Sequence, residues 1–87
     1  MLKSVIVEWL DIIGDDEWRS QAEAELIEPQ RFVTLGYLLR NDDKAVVVCS
    51  TYSHDDDTVG SVTSIPKGAV IRVRYVTVEP ILGTDGA

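Results

Sequence analysis

The residues with chemical potential in this 87-residue chain are few, and their spacing limits what they can do. His54-Asp55-Asp56-Asp57 is the one candidate metal cluster. Aligned on a calcium loop, Asp55, Asp57 and Gly60 fall at positions 1, 3 and 6. Val59 and Pro66 then occupy positions 5 and 12, where oxygen ligands are required, so the segment reads as a solvated loop. The single histidine excludes a two-histidine metal centre. Ser50-Thr51-Tyr52-Ser53 supplies hydroxyls, but four strand residues place Ser50 and His54 about 13 Å apart, beyond proton transfer. Cys49, inside an apolar run, reads as a buried thiol rather than a nucleophile. No glycine-rich phosphate loop is present. The expectation is a protein that is not an enzyme and carries no cofactor.

Binding chemistry has more to work with. Trp18 lies in a turn after Gly14-Asp15-Asp16-Glu17, where it either staples the following helix to the rest of the fold or offers a flat face to a ligand. Tyr52 stands at a strand end among polar residues, and Lys67 occupies a Pro-Lys-Gly turn. Aromatic faces beside hydroxyls and cations suit a base and a phosphate. Arg72 and Arg74 share one face of a strand, flanking a groove or interface or pairing with the acidic segment.

Charge narrows the partners. Fifteen acids and eight bases give a net charge of −7. Eight of the acids fall between Glu8 and Glu28 against Arg19 alone, and the chain after Pro29 is almost neutral. A nonspecific nucleic-acid or anionic-membrane binder needs a basic face, so both are disfavoured. A small phosphorylated ligand is not. No apolar run approaches the ~20 residues of a membrane span. Met1–Trp9 lacks a signal-peptide pattern, and the lone Cys49 suits a reducing compartment, so the expected location is cytoplasmic.

The elements that must position these residues are mostly strands. Ser4–Asp11 is rich in β-branched residues, with Val5, Val7 and Trp9 on one face. Ser20 and Glu23 form a capping-box pair, opening a two-turn helix over Gln21–Glu28 that Pro29 stops. So short a helix must lean on a sheet. From Arg31 the period is two: Val33, Leu35, Tyr37 and Leu39 point one way, Thr34, Gly36, Leu38 and Arg40 the other. Asn41–Lys44 is a hairpin turn, and Ala45–Ser53 returns as a central, well-covered strand. A polar loop over Ser53–Gly60 leads to strands Ser61–Ile65 and Val70–Val78, the latter with Ile71, Val73 and Tyr75 inward and Arg72 and Arg74 outward. The predicted fold is mainly β: a small five-stranded SH3-like or Sm-like barrel over residues 1–80, with one short helix after the first strand, and a flexible tail at 81–87. An open, helix-covered antiparallel sheet is the alternative.

In order and spacing, Val7-Glu8-Trp9-Leu10-Asp11, Asp16-Glu17-Trp18, Leu35-Gly36-Tyr37-Leu38, Ser50-Thr51, and Gly60 with Ile65-Pro66-Lys67 resemble small proteins encoded by tailed phages and prophages. The likeness runs from about Val5 to Val73. Early phage proteins of this size commonly block host defence, and one class forms oligomeric sponges that sequester a cyclic-nucleotide signal without cleaving it. The resemblance implies a homo-oligomeric binding protein whose ligand is a cyclic oligonucleotide. Trp18 or Tyr52 would stack on a base, Ser50, Thr51 and Thr63 would hydrogen-bond, and Lys67 would meet phosphate. The other readings are an acidic inhibitor that docks on a host defence protein by mimicking nucleic acid, and a structural phage subunit.

Overall fold

A computed structural model describes residues 2–77. The expected tail at 81–87 and Val78, the last residue of the expected final strand, lie outside that range. Five antiparallel strands form one sheet: β1 (Ser4–Asp11), β2 (Gln30–Asn41), β3 (Ala45–Ser53), β4 (Thr58–Pro66) and β5 (Val70–Val76), in the order β4-β3-β2-β1-β5. The mainly β reading holds, and β1 and β3 begin and end where the β-branched runs place them.

The sheet bends sharply because β2 changes partners along its length. Its first part pairs with β1, from Asp11↔Gln30 to Ser4↔Tyr37. Its last part pairs with β3, from Tyr37↔Cys49 to Asn41↔Val46, with an irregularity between Leu38 and Arg40. Two half-sheets result, β5-β1-β2 and β2-β3-β4, folded over one core. Val5 and Val7 of β1 meet Val46 and Val48 of β3 and Ile65 of β4, although β1 borders neither β3 nor β4. Trp9, Leu38, Val70 and Val73 pack around them. Trp9 reaches this position with its indole N–H donated to Thr34 Oγ1 at 2.9 Å and its ring 5.2 Å from that of Phe32.

The expected barrel does not close. β4 and β5 are the two edges of the sheet and share no ladder. The 3-10 turn Lys67–Ala69 carries the chain between them around the open end of the core. Closure requires the first and last strands to come within ladder distance, about 4.8 Å. The half-sheets instead meet through side chains, and among the described residues no α-helix covers the opening.

The segment between β1 and β2 also departs from expectation. The helix α1 spans only Gln21–Ala24. Ser20 caps it, its hydroxyl accepting the Glu23 N–H at 3.1 Å and donating to Glu23 Oε1 at 2.9 Å. The following bonds, Leu26 N–H to Glu23 O and Ile27 N–H to Ala24 O, are of the tighter i to i+3 kind, and the α-helix ends there. Nothing supports it: every residue from Ile12 to Arg31 is exposed. Residues 12–29 are thus an arm standing off the Asp11/Gln30 end of the β1–β2 ladder.

Candidate functional site

The hydroxyl-bearing end of β3 is built by its pairing with β4. Thr51↔Gly60, Tyr52↔Val59 and Ser53↔Thr58 extend the hairpin beyond the point where β2 leaves. The turn is therefore only His54–Asp57, and β4 starts at Thr58 rather than Ser61. Asp57 has a φ of 56° and Ser61 of 55°, both in the left-handed region. The Tyr52 hydroxyl donates to Asp57 Oδ1 at 3.1 Å, which raises its pKa above the usual 10.0, and its ring meets that of His54 edge-on at 5.0 Å. Asp56 accepts both the hydroxyl (2.7 Å) and the N–H (3.3 Å) of Thr58. These acids are committed to the turn. Among the described residues no three metal-ligating side chains come together.

Two open hollows border this end. One of about 250 Å3 lies where β2 and β3 part and is lined by Ser4, Leu35, Gly36, Tyr37 and Ser50. The other, of about 100 Å3, is lined by Leu2, Tyr37, Tyr52 and His54. Among the described residues neither has a lysine or arginine in its wall. Ser50 and Thr51 stand together, their hydroxyls 3.4 Å apart.

The remaining predicted ligand residues lie elsewhere. Lys67 follows Pro66, which pairs with Ala45, so it sits at the opposite end of β3, about 17–23 Å of strand from Ser50 and Tyr52. Its ammonium is engaged by Asn41 Oδ1. Thr63 faces Val48 on the core side of the hairpin. Trp18 is on the arm, 101% exposed, so it staples nothing. Within one chain the six residues do not converge on one ligand.

Two surfaces were less apparent. The first is the arm itself. Arg19 holds its turn together, bonding to Asp15 and to Glu17, the latter at 3.2 Å, and Asp15 also accepts the Glu17 N–H. These contacts depress the Asp15 pKa, the Arg19 hydrogen bond most of all. Between this turn and α1 lies a hollow of about 530 Å3 lined by Ile13, Leu26 and Ile27 and rimmed by Asp15, Arg19 and Glu23. Ile12 is 91% and Leu26 79% exposed.

The second is the outer face of the β5-β1-β2 half-sheet. Register sets its rows: Arg74, Ile6 and Leu35 lie side by side, then Arg72, Glu8 and Val33, then Leu10 and Arg31. Glu8 is clamped by Arg72 Nε at 2.5 Å and approached by Arg31 at 3.9 Å, which lowers its pKa, the Arg72 bond foremost. Leu35 is 65% exposed, with Val33 similarly open. The period-two pattern of β2 announced two faces; only pairing with Val5 and Val7 shows that Thr34 and Gly36 take the inner one.

No helix among the described residues is long and apolar enough to cross a membrane. Comparison with protein-family models, with curated proteins and with solved structures finds no match.

Proposed function

We propose that this chain is a non-enzymatic binding protein whose recognition element is the acidic arm, docking on a protein surface that offers an apolar cleft with a basic rim. The observation that carries this reading is the exposure of Ile12, Trp18 and Leu26 on a segment holding six acids and one base. Large apolar side chains grouped in water at no benefit to their own fold mark an interaction surface. The flanking carboxylates steer the arm toward positive partners and away from negative ones. The resemblance to small phage proteins supports an anti-defence setting.

The test is a photocrosslinking amino acid at position 18 of the full chain, expressed in bacteria, with position 57 as control. A discrete protein adduct at 18, lost when Asp15, Asp16 and Glu17 are changed to Lys, is expected. No adduct beyond the control overturns the reading. Calorimetric heat with cyclic di- or trinucleotides, unaffected by those three substitutions, would replace it with nucleotide capture at the Ser50–Tyr52 end.

A further inference from the structure

The arm and the outer sheet face are both exposed, both apolar at the centre and opposite in charge. The arm, residues 12–29, carries six acids and one base, a net −5. The face carries Arg31, Arg72 and Arg74 against Glu8, a net +2, around Ile6, Leu10, Val33 and Leu35. Arg72 and Arg31 are shared with Glu8, whereas Arg74 makes no ion pair among the described residues. Resting on the reading of the arm as a docking element, we infer that its partner is a second copy of this chain: the arm of each protomer lies across the β5-β1-β2 outer face of the other.

Two features fit this exchange. Eighteen residues out and back reach at most about 30 Å when extended, and the eight residues of β1 make a face about 26 Å long, so the arm is long enough to lie on such a face. Reciprocal exchange forms both arm–face contacts within one pair related by a two-fold axis, so the assembly closes as a dimer. In it, Trp18 and Leu26 cover Leu35 and Val33, and the acids of the arm reach Arg74. The hollow between Ile13 and Leu26 receives side chains of the facing β2.

Sedimentation equilibrium of the full chain across the micromolar range tests this, with two variants at exposed positions. Leu35→Asp damages the face, and the double substitution Trp18→Asp, Leu26→Asp damages the arm. The wild type is expected at twice the chain mass, dissociating as salt rises; each variant is expected as a monomer with unchanged circular dichroism. An equimolar mixture of the variants should recover a dimer, because the intact arm of one meets the intact face of the other. Arg74→Gln, which breaks no ion pair among the described residues, should weaken the dimer at low salt and provides a second face variant. A wild-type monomer throughout the range overturns the inference, as does a dimer indifferent to the arm substitutions. Either result leaves the arm's docking role intact if position 18 still crosslinks to a protein of a different mass.

Discussion

The backbone of Gly36 in β2 runs so close to Cys49 in β3 that a Cβ at position 36 would stand 2.7 Å from the Cys49 carbonyl oxygen. The contact lies where the β2–β3 ladder ends, at Tyr37↔Cys49, and where the two half-sheets diverge. A side chain there has no flexible neighbour to displace, because the obstacle is backbone. Gly36→Ala is therefore expected to force the strands apart at the bend and cost about 1–3 kcal/mol, the range of overpacking in a fitted interior. Urea unfolding followed by circular dichroism measures it. An unchanged midpoint would show that the bend tolerates separation.

Glu8 makes stability depend on acid in a defined direction. Its folded pKa lies below the ordinary 4.5, first because of the hydrogen bond from Arg72. The native state thus binds fewer protons than the unfolded chain as pH passes through this region. The contribution of Glu8 is complete above 4.5 and is lost as pH falls through the lower folded value. Glu8→Gln is expected to lower the melting temperature at neutral pH and to make its decline below 4.5 less steep than in the wild type. Asp42 and Asp56, also depressed, keep some acid dependence in the variant; backbone N–H donors lead for Asp42 and the Thr58 hydroxyl for Asp56. Parallel melting curves for the two proteins would show that the Glu8–Arg72 pair contributes nothing.

Thr34 provides the partner for the half-buried indole of Trp9. Thr34→Val keeps the shape and the β-branching but leaves that N–H without an acceptor, which costs about 1 kcal/mol or somewhat more. Thr34→Ser keeps the oxygen and should lie nearer the wild type. The order wild type, Ser, Val in urea midpoint is the expected outcome; Val equal to wild type would mean that water satisfies the indole.

Much of this architecture is legible in the sequence, for reasons that also explain what is not. Val5-Ile6-Val7 and Val46-Val47-Val48 are dense in β-branched residues and bounded by polar turns, so β1 and β3 can be placed to the residue. The start of β4 cannot, because Thr58-Val59-Gly60 has the composition of a loop and becomes strand only by pairing with Thr51–Ser53. Alternation in β2 separates Leu35 from Gly36 without saying which is inside; that choice is made by Ile6 and Val5 across the ladder. The capping pair Ser20 and Glu23 marks a helix start truthfully, but capping is local chemistry and cannot tell whether Leu26 finds a surface to cover. The candidate ligand set is divided within one chain in a related way. Lys67 follows the strand of Thr63, yet the Ala45↔Pro66 pairing puts it at the far end of β3 from Tyr52.

The exposure of the arm leads to a prediction that separates local from global stability. An N-cap serine is worth about 1 kcal/mol to the helix it starts, and a packed leucine cut to alanine costs 2–5 kcal/mol or so. Ser20 caps α1, but α1 has no buried residue, and Leu26 is open to solvent. Neither substitution removes anything on which Val5, Val48 or Ile65 depends. Ser20→Ala and Leu26→Ala should therefore leave the unfolding midpoint of the monomeric sheet unchanged at high dilution, while amide exchange in residues 21–27 accelerates in Ser20→Ala. In the arm-exchanged dimer Leu26 is covered, so Leu26→Ala should lower the melting temperature increasingly as protein concentration rises. A concentration-independent loss in Leu26→Ala would instead place the arm against its own sheet, contrary to the structure.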